Sequence, residues 1–120
     1  MPSAIVNGVD LYYECHGKGK LLIAGLASDS QSWQPIVQDL SRCYLVILVD
    51  NRSAGRTKPQ DVEISIQSIA DDCIAIIEYL GLSSVTLLGH SMGGFVALDC
   101  AIRHPRHISR LILAGTPAFN

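Results

Sequence analysis

The hydrophobic pattern along the chain opens on two short runs, Ala4-Ile5-Val6 and Val9-Asp10-Leu11-Tyr12-Tyr13-Glu14-Cys15, on either side of Asn7-Gly8. Asn-Gly between such runs predicts a β-hairpin, because both residues tolerate the positive φ of a tight primed turn. A turn at Gly17-Lys18-Gly19-Lys20 leads into Leu21-Leu22-Ile23-Ala24, a third strand ended by Gly25. Residues 32–40 read as a short helix. Tyr44-Leu45-Val46-Ile47-Leu48-Val49 is apolar on both faces, as the centre of a parallel sheet requires. A polar loop covers 50–61. From Ser65 to Leu80 apolar residues recur at 66, 69, 70, 73, 77 and 80, a helical spacing that Gly81 stops. Ser84-Val85-Thr86-Leu87-Leu88 is a fifth strand, the segment from Gly94 to Ala101 a helix that ends before Pro105, and 108–114 a sixth strand. After the hairpin, strands alternate with helices, which predicts a parallel sheet with right-handed crossovers.

Composition narrows the class. At 120 residues the chain makes one domain at most. It is 48% hydrophobic and 17% charged, yet no window of about 18 apolar residues exists to span a bilayer. The first eight residues carry neither a basic region nor an apolar signal core. A net charge of −2 without a basic cluster argues against a nucleic-acid partner. Cys15, Cys43, Cys73 and Cys100 form no C-x-x-C pair and no metal-ligand spacing with histidine, so we expect no metal and no cofactor. They read as reduced, buried small hydrophobes of a cytoplasmic protein.

The chemistry concentrates at Gly89-His90-Ser91-Met92-Gly93, which fits Gly-x-Ser-x-Gly between the fifth strand and a small-residue helix. Such a setting is a nucleophile elbow: small residues let the helix start against the strand, and the serine hydroxyl stands exposed. Free N–H groups at the helix start then face a developing oxyanion. His90 adjoins Ser91 on the turn, so its side chain points away from the hydroxyl.

With these residues in view, the chain resembles the α/β-hydrolase superfamily over essentially its whole length. The match rests on the Asn7-Gly8 hairpin, on Ala24-Gly25-Leu26 with Trp33 downstream, on Asp50-Asn51-Arg52-Ser53-Ala54-Gly55-Arg56-Thr57, and on Gly89 to Gly94. The loop after the fourth strand and the Gly-Leu-x-Ser-Asp-x-x-x-Trp stretch look most like the enol-lactone hydrolase and carboxylesterase branch. A serine at 91 argues against the dehalogenases, which use aspartate there. The resemblance implies a three-layer α/β/α sandwich, mostly parallel with an antiparallel N-terminal hairpin, truncated after about the sixth strand. It implies Ser91 as nucleophile and the backbone N–H groups of Met92 and Leu26 as oxyanion hole, acting on a small-molecule ester or lactone through an acyl-enzyme.

Three departures stand out. Ala24 replaces the family's usual histidine, and Ser53 replaces a glycine. Nothing after Ser91 supplies the Asp or Glu and the His that complete the family's triad. Asp99 reads as the solvated face of the elbow helix. His104 and His107 flank Pro105 at that helix's end, where they suit the carbonyl dipole, and His16 lies in an early turn. The chain therefore looks like the N-terminal part of a hydrolase, nearly inactive alone. A non-catalytic half-domain, or a hydrolase completed by a second chain, are the other readings. The sixth strand then forms an uncovered edge, from which we expect a homo-oligomer or association with a missing C-terminal half.

Other residues read as structure. Lys18-Gly19-Lys20 is a solvated turn rather than a phosphate site. Asp71-Asp72 is the solvent face of the long helix rather than a metal site. Trp33 suits either a pocket wall or helix packing. Arg52 braces its loop by charge-assisted hydrogen bonds.

Overall fold

A computed structural model describes residues 3–18, 20–24, 34–52, 54, 56–59, 64–82, 84–90 and 92–114, with no side-chain description at 20–24, 34–36 and 92. Six strands form one sheet: β1 (Ser3–Val6), β2 (Val9–His16), β3 (Lys20–Ala24), β4 (Tyr44–Val49), β5 (Val85–His90) and β6 (Ile108–Ala114). The helices are α1 (Gln34–Leu40), α2 (Ile66–Tyr79) and α3 (Met92–Arg103), with a 3-10 turn at Pro105–His107. The strand order is β1-β2-β4-β3-β5-β6. β1 and β2 run antiparallel to their neighbours, and β3, β4, β5 and β6 are parallel.

The local rules act as the sequence predicts. Asn7 and Gly8 take φ of 48° and 81°, the two positive values of a type I′ turn, and set the register Val6↔Val9. Ser65 lies outside α2 as its cap. Its hydroxyl accepts from the Ser68 N–H while the Ser68 hydroxyl accepts from the Ser65 N–H. Predicted helix 32–40 appears from Gln34, with 32 and 33 outside the described residues.

Side-chain alternation splits β4 and β5 between two cores. Ile47, Val49, Val85 and Leu87 pack with Ile69, Cys73, Ile76 and Ile77 of α2 and with Val96, Ala97 and Cys100 of α3. Val46, Leu48 and Leu88 pack on the opposite face with Val37 of α1. Both faces of the central strands are buried, which explains why these strands carry continuous apolar runs rather than alternating ones.

Two readings are corrected. Cys73 and Cys100 are buried, but Cys15 and Cys43 are exposed; all four are free thiols. Cys15 lies near the end of β2, beyond Leu11 and Tyr13 of the α2 core, and Cys43 sits in the turn that enters β4; neither belongs to a core. Asp72 is not on a solvent face: it is 2% exposed. Its carboxylate takes both Nε (2.7 Å) and an Nη (2.8 Å) of Arg52, plus Nδ2 of Asn7 (3.1 Å). A buried carboxylate persists because this fork and amide satisfy it. Asp71, on the same helix, is half-buried and pairs with Arg103 of α3 at 2.7 Å.

Candidate active site

The topology locates a crevice before any side chain is considered. From β3 the chain crosses to β4 on one side; from β5 it crosses to β6 on the other. The reversal falls between β3 and β5, which are adjacent at Leu22↔Thr86 and Ile23↔Leu87. In open α/β sheets ligands bind at the carboxyl ends of strands at such a reversal. Ala24 and His90, the last residues of β3 and β5, flank it.

The β5 end has an unusual construction. β5 stops at His90 and α3 begins at Met92, so a single residue, position 91, separates strand from helix. Room for that reversal comes from glycine. A Cβ on Gly89 would collide with the carbonyl oxygen of Gly93 and lie 2.6 Å from its carbon. The strand backbone and the first helical turn are thus in contact with no side chain between them. Met92 opens a twelve-residue helix, and its N–H belongs to the first turn, whose N–H groups have no intrahelical acceptor. Ser91 itself, and Leu26 with its neighbours Gly25 and Trp33, lie outside the described residues, as does Ser53; the side chain of Ala24 is likewise outside them.

The loop that leaves β4 is locked in place beside this edge. The Thr57 hydroxyl accepts the Tyr12 N–H at 3.0 Å and donates to the Asp50 carbonyl. The Asp50 carboxylate accepts the Arg56 N–H at 2.8 Å. Asp10 and Lys58 exchange two backbone hydrogen bonds. Arg52 ties the loop to α2 through Asp72 and to the hairpin turn through the Asn7 carbonyl, as its sequence reading expects. Its hydrogen bonds to Asp72 raise the pKa of the guanidinium further.

A second network escaped the sequence. Tyr12, Glu14 and His16 alternate onto one face of β2. The Tyr12 hydroxyl donates to Glu14 at 2.6 Å and accepts from Arg56, whose guanidinium also lies 4.9 Å from the Tyr12 ring centre. His16 contacts the other Glu14 oxygen at 2.9 Å. The hydrogen bond to Glu14, then burial, push the Tyr12 phenol pKa up against the opposing pull of Arg56. Alternation at 12, 14 and 16 is visible in the sequence, but Arg56 is 44 residues from Tyr12 and no local signal links them.

The remaining titratable candidates lie elsewhere. His104 and His107 follow α3, whose length puts them roughly 18 Å from its start, at the opposite edge of the sheet where β6 begins. His107 faces Glu78 of α2 at 3.6 Å. His16 pairs in register with Val46 near the start of β4, again at the opposite edge. Asp99 bonds Arg103 one turn later at 2.7 Å. Neither later histidine reaches the β5–α3 turn. Among the described residues no group of three or more His, Cys, Asp or Glu is placed to hold a metal ion, and no helix is long and apolar enough to cross a membrane.

A doubly wound sheet with a one-residue strand-to-helix turn after β5 defines the class. The family model for the alpha/beta hydrolase fold matches residues 21–120, and the chain belongs to that family. "Putative carbamate hydrolase RutD" of Agrobacterium fabrum is 36% identical over 110 residues, covering 86% of this chain and 42% of that protein. Human "Serine hydrolase BPHL" is 31% identical over 95% of this chain and 42% of its own length. Among solved structures, the enol-lactonase from Burkholderia xenovorans LB400 superposes with a TM-score of 0.86 at 28% identity, over 96% of this chain and 46% of that one. A marine microorganism esterase gives 0.79 at 33% identity, over 88% and 41%. The chain spans less than half the length of these relatives.

Proposed function

We propose that the protein is a serine hydrolase that cleaves a carboxylic ester or lactone through an acyl-enzyme on Ser91. The observation that carries this reading is the β5–α3 turn: one residue, Ser91, separates strand from helix, and Gly89 lies against Gly93 beneath it. The turn stands at the edge of the sheet where the chain reverses, the place where substrate binds in such folds. The Ser91 hydroxyl attacks the acyl carbonyl; the alcohol or enol leaves and the acyl group stays on the oxygen until water displaces it. The N–H of Met92, in the first turn of α3, and the N–H of Leu26 beyond β3 stabilise the oxyanion, a contribution of roughly 2.7–4 kcal/mol per donor in related chemistry. Names of relatives support the substrate class: one solved neighbour is an enol-lactonase and another an esterase.

The general base and its carboxylate partner come from polypeptide outside the residues described. Without them a serine is a weak nucleophile, and triad loss costs several orders of magnitude in rate. The test is treatment of the purified chain with p-nitrophenyl acetate, followed by peptide mapping. Slow acetylation concentrated on the peptide containing Ser91, absent in Ser91→Ala, is the expected result. Acetylation spread evenly over the serines, or turnover that survives Ser91→Ala, would overturn the assignment.

A further inference from the structure

Two thiols meet inside the contact between α2 and α3. Cys73 of α2 and Cys100 of α3 are both buried and both free. They sit among small side chains. Ala70 lies one turn before Cys73, Ala97 lies one turn before Cys100, and all four belong to one core cluster. Such small residues let the two helices approach until a side chain of one reaches the backbone of the other. The Cys100 thiol does so, donating to the Ala70 carbonyl at 3.6 Å. A helical carbonyl points along the axis toward the residues one turn further on. This contact therefore brings the Cys100 sulfur to the turn that Cys73 occupies. There the Cys73 thiol hydrogen-bonds Cys100, and that bond, with burial, pushes the Cys73 thiol pKa well up. Cys100 lies more than two turns beyond the start of α3 at Met92, so neither sulfur takes part in the chemistry at position 91.

We propose that Cys73 and Cys100 are a redox couple, which a small-molecule disulfide oxidises to a disulfide that staples α3 to α2. One thiol, as its thiolate, attacks a sulfur of the small disulfide; a mixed disulfide forms and the first small thiolate leaves. The neighbouring thiol gives up its proton and attacks the protein sulfur of the mixed disulfide. The second small thiolate leaves, and the Sγ–Sγ bond closes. Two protein thiols are oxidised, and one small disulfide is reduced to two thiols. Closure needs Cβ atoms about 3.5–4.5 Å apart, an approach that a helix contact lined by Ala70 and Ala97 permits. Burial and the raised Cys73 pKa make attack slow in the closed core, so exchange proceeds through transient separation of α3 from α2. The cross-link encloses residues 73–100, and with them β5, position 91 and the first two turns of α3. Closing that loop removes freedom from the unfolded chain, so oxidation holds the strand–turn–helix unit more firmly.

The test does not depend on Ser91 or on any activity. Cys15→Ser/Cys43→Ser removes the two exposed thiols and leaves the buried pair. This variant is equilibrated, folded and in urea, with glutathione at graded ratios of oxidised to reduced form. The products are trapped with acid and mapped by mass spectrometry. A peptide linking Cys73 to Cys100 is expected. Its formation constant should be roughly a hundredfold larger in the folded protein than in urea, because the fold favours the bond by the factor with which the bond favours the fold. Closure should raise Tm by roughly 10 °C, and dithiothreitol should restore the starting value. If the double variant fails to fold, the parent protein alkylated at Cys15 and Cys43 with iodoacetamide in the native state takes its place. Glutathione adducts on Cys73 or Cys100 without the cross-link, a formation constant no larger in the folded protein, or a Tm unchanged or lowered by closure would each overturn the proposal.

Discussion

Removing Arg52 should damage this fold more than removing its partner Asp72. The two side chains share a two-pronged ion pair, but they sit at different depths: Asp72 has 3% of its side chain exposed and Arg52 has 14%. Arg52→Met leaves a buried carboxylate with one neutral donor, the Asn7 amide. Breaking a buried pair in this way costs about 3–5 kcal/mol. Asp72→Asn leaves a guanidinium near the surface that still reaches the Asn7 carbonyl at 3.3 Å and can turn to water. That loss should be about 1.5–3 kcal/mol, the value of a hydrogen bond to a charged group. In the double variant Arg52→Met/Asp72→Leu no charge is left behind, and stability should return to within about 1 kcal/mol of the parent. Urea unfolding followed by circular dichroism measures these proteins together with the single variant Asp72→Leu, which closes the cycle with Arg52→Met and yields the coupling energy. In heat, the Arg52→Met loss corresponds to a fall in Tm of roughly 10–20 °C for a domain of this size. If Arg52→Met cost no more than Asp72→Asn, or if the two losses simply added in the double variant, the burial argument would be wrong.

Other substitutions probe separate parts of the structure. Gly89→Ala drives a methyl into the Gly93 carbonyl, backbone against backbone, so the loss should reach or exceed about 3 kcal/mol, the upper end for overpacking; an unchanged urea midpoint would contradict the close approach. His104 Nε2 is buried with no hydrogen-bond partner among the described residues, and leaving such an atom unpaired costs about 1–3 kcal/mol. His104→Phe should therefore raise stability by about 1 kcal/mol, and a fall of that size would reveal a partner. Two thiols, Cys15 and Cys43, should react with Ellman's reagent in the native protein, and Cys73 and Cys100 only after unfolding. Burial raises the Cys15 thiol pKa, so its labelling should speed up as pH climbs past the ordinary thiol range. Release of four thiols at once in the native state would contradict the core assignment.

The parts of this protein legible in its sequence are those governed by neighbours along the chain. Asn7-Gly8 fixes the hairpin because positive φ is a property of those two residues. The apolar run at 44–49 and the helical spacing from 66 to 80 give β4 and α2 nearly to the residue, because period and burial are written locally. Gly89 and Gly93, four apart, already imply a close approach of strand and helix, and the structure shows it: β5 ends at His90, α3 begins at Met92, and Gly89 lies against Gly93. What depended on the third dimension was partnership across long separations. Asp72 reads as a solvent residue from its own helix, since only folding brings Arg52 and Asn7 against it, from 20 and 65 residues away. The same holds for Arg56 over Tyr12. Cys15 and Cys43 carry a side chain that usually hides, yet their places near the end of β2 and in the turn before β4 leave both exposed. Strand order, too, is a tertiary decision. The alternation of strands and helices specifies parallel pairing, but only packing places β3 between β4 and β5, and with it the reversal of the chain between the ends of β3 and β5.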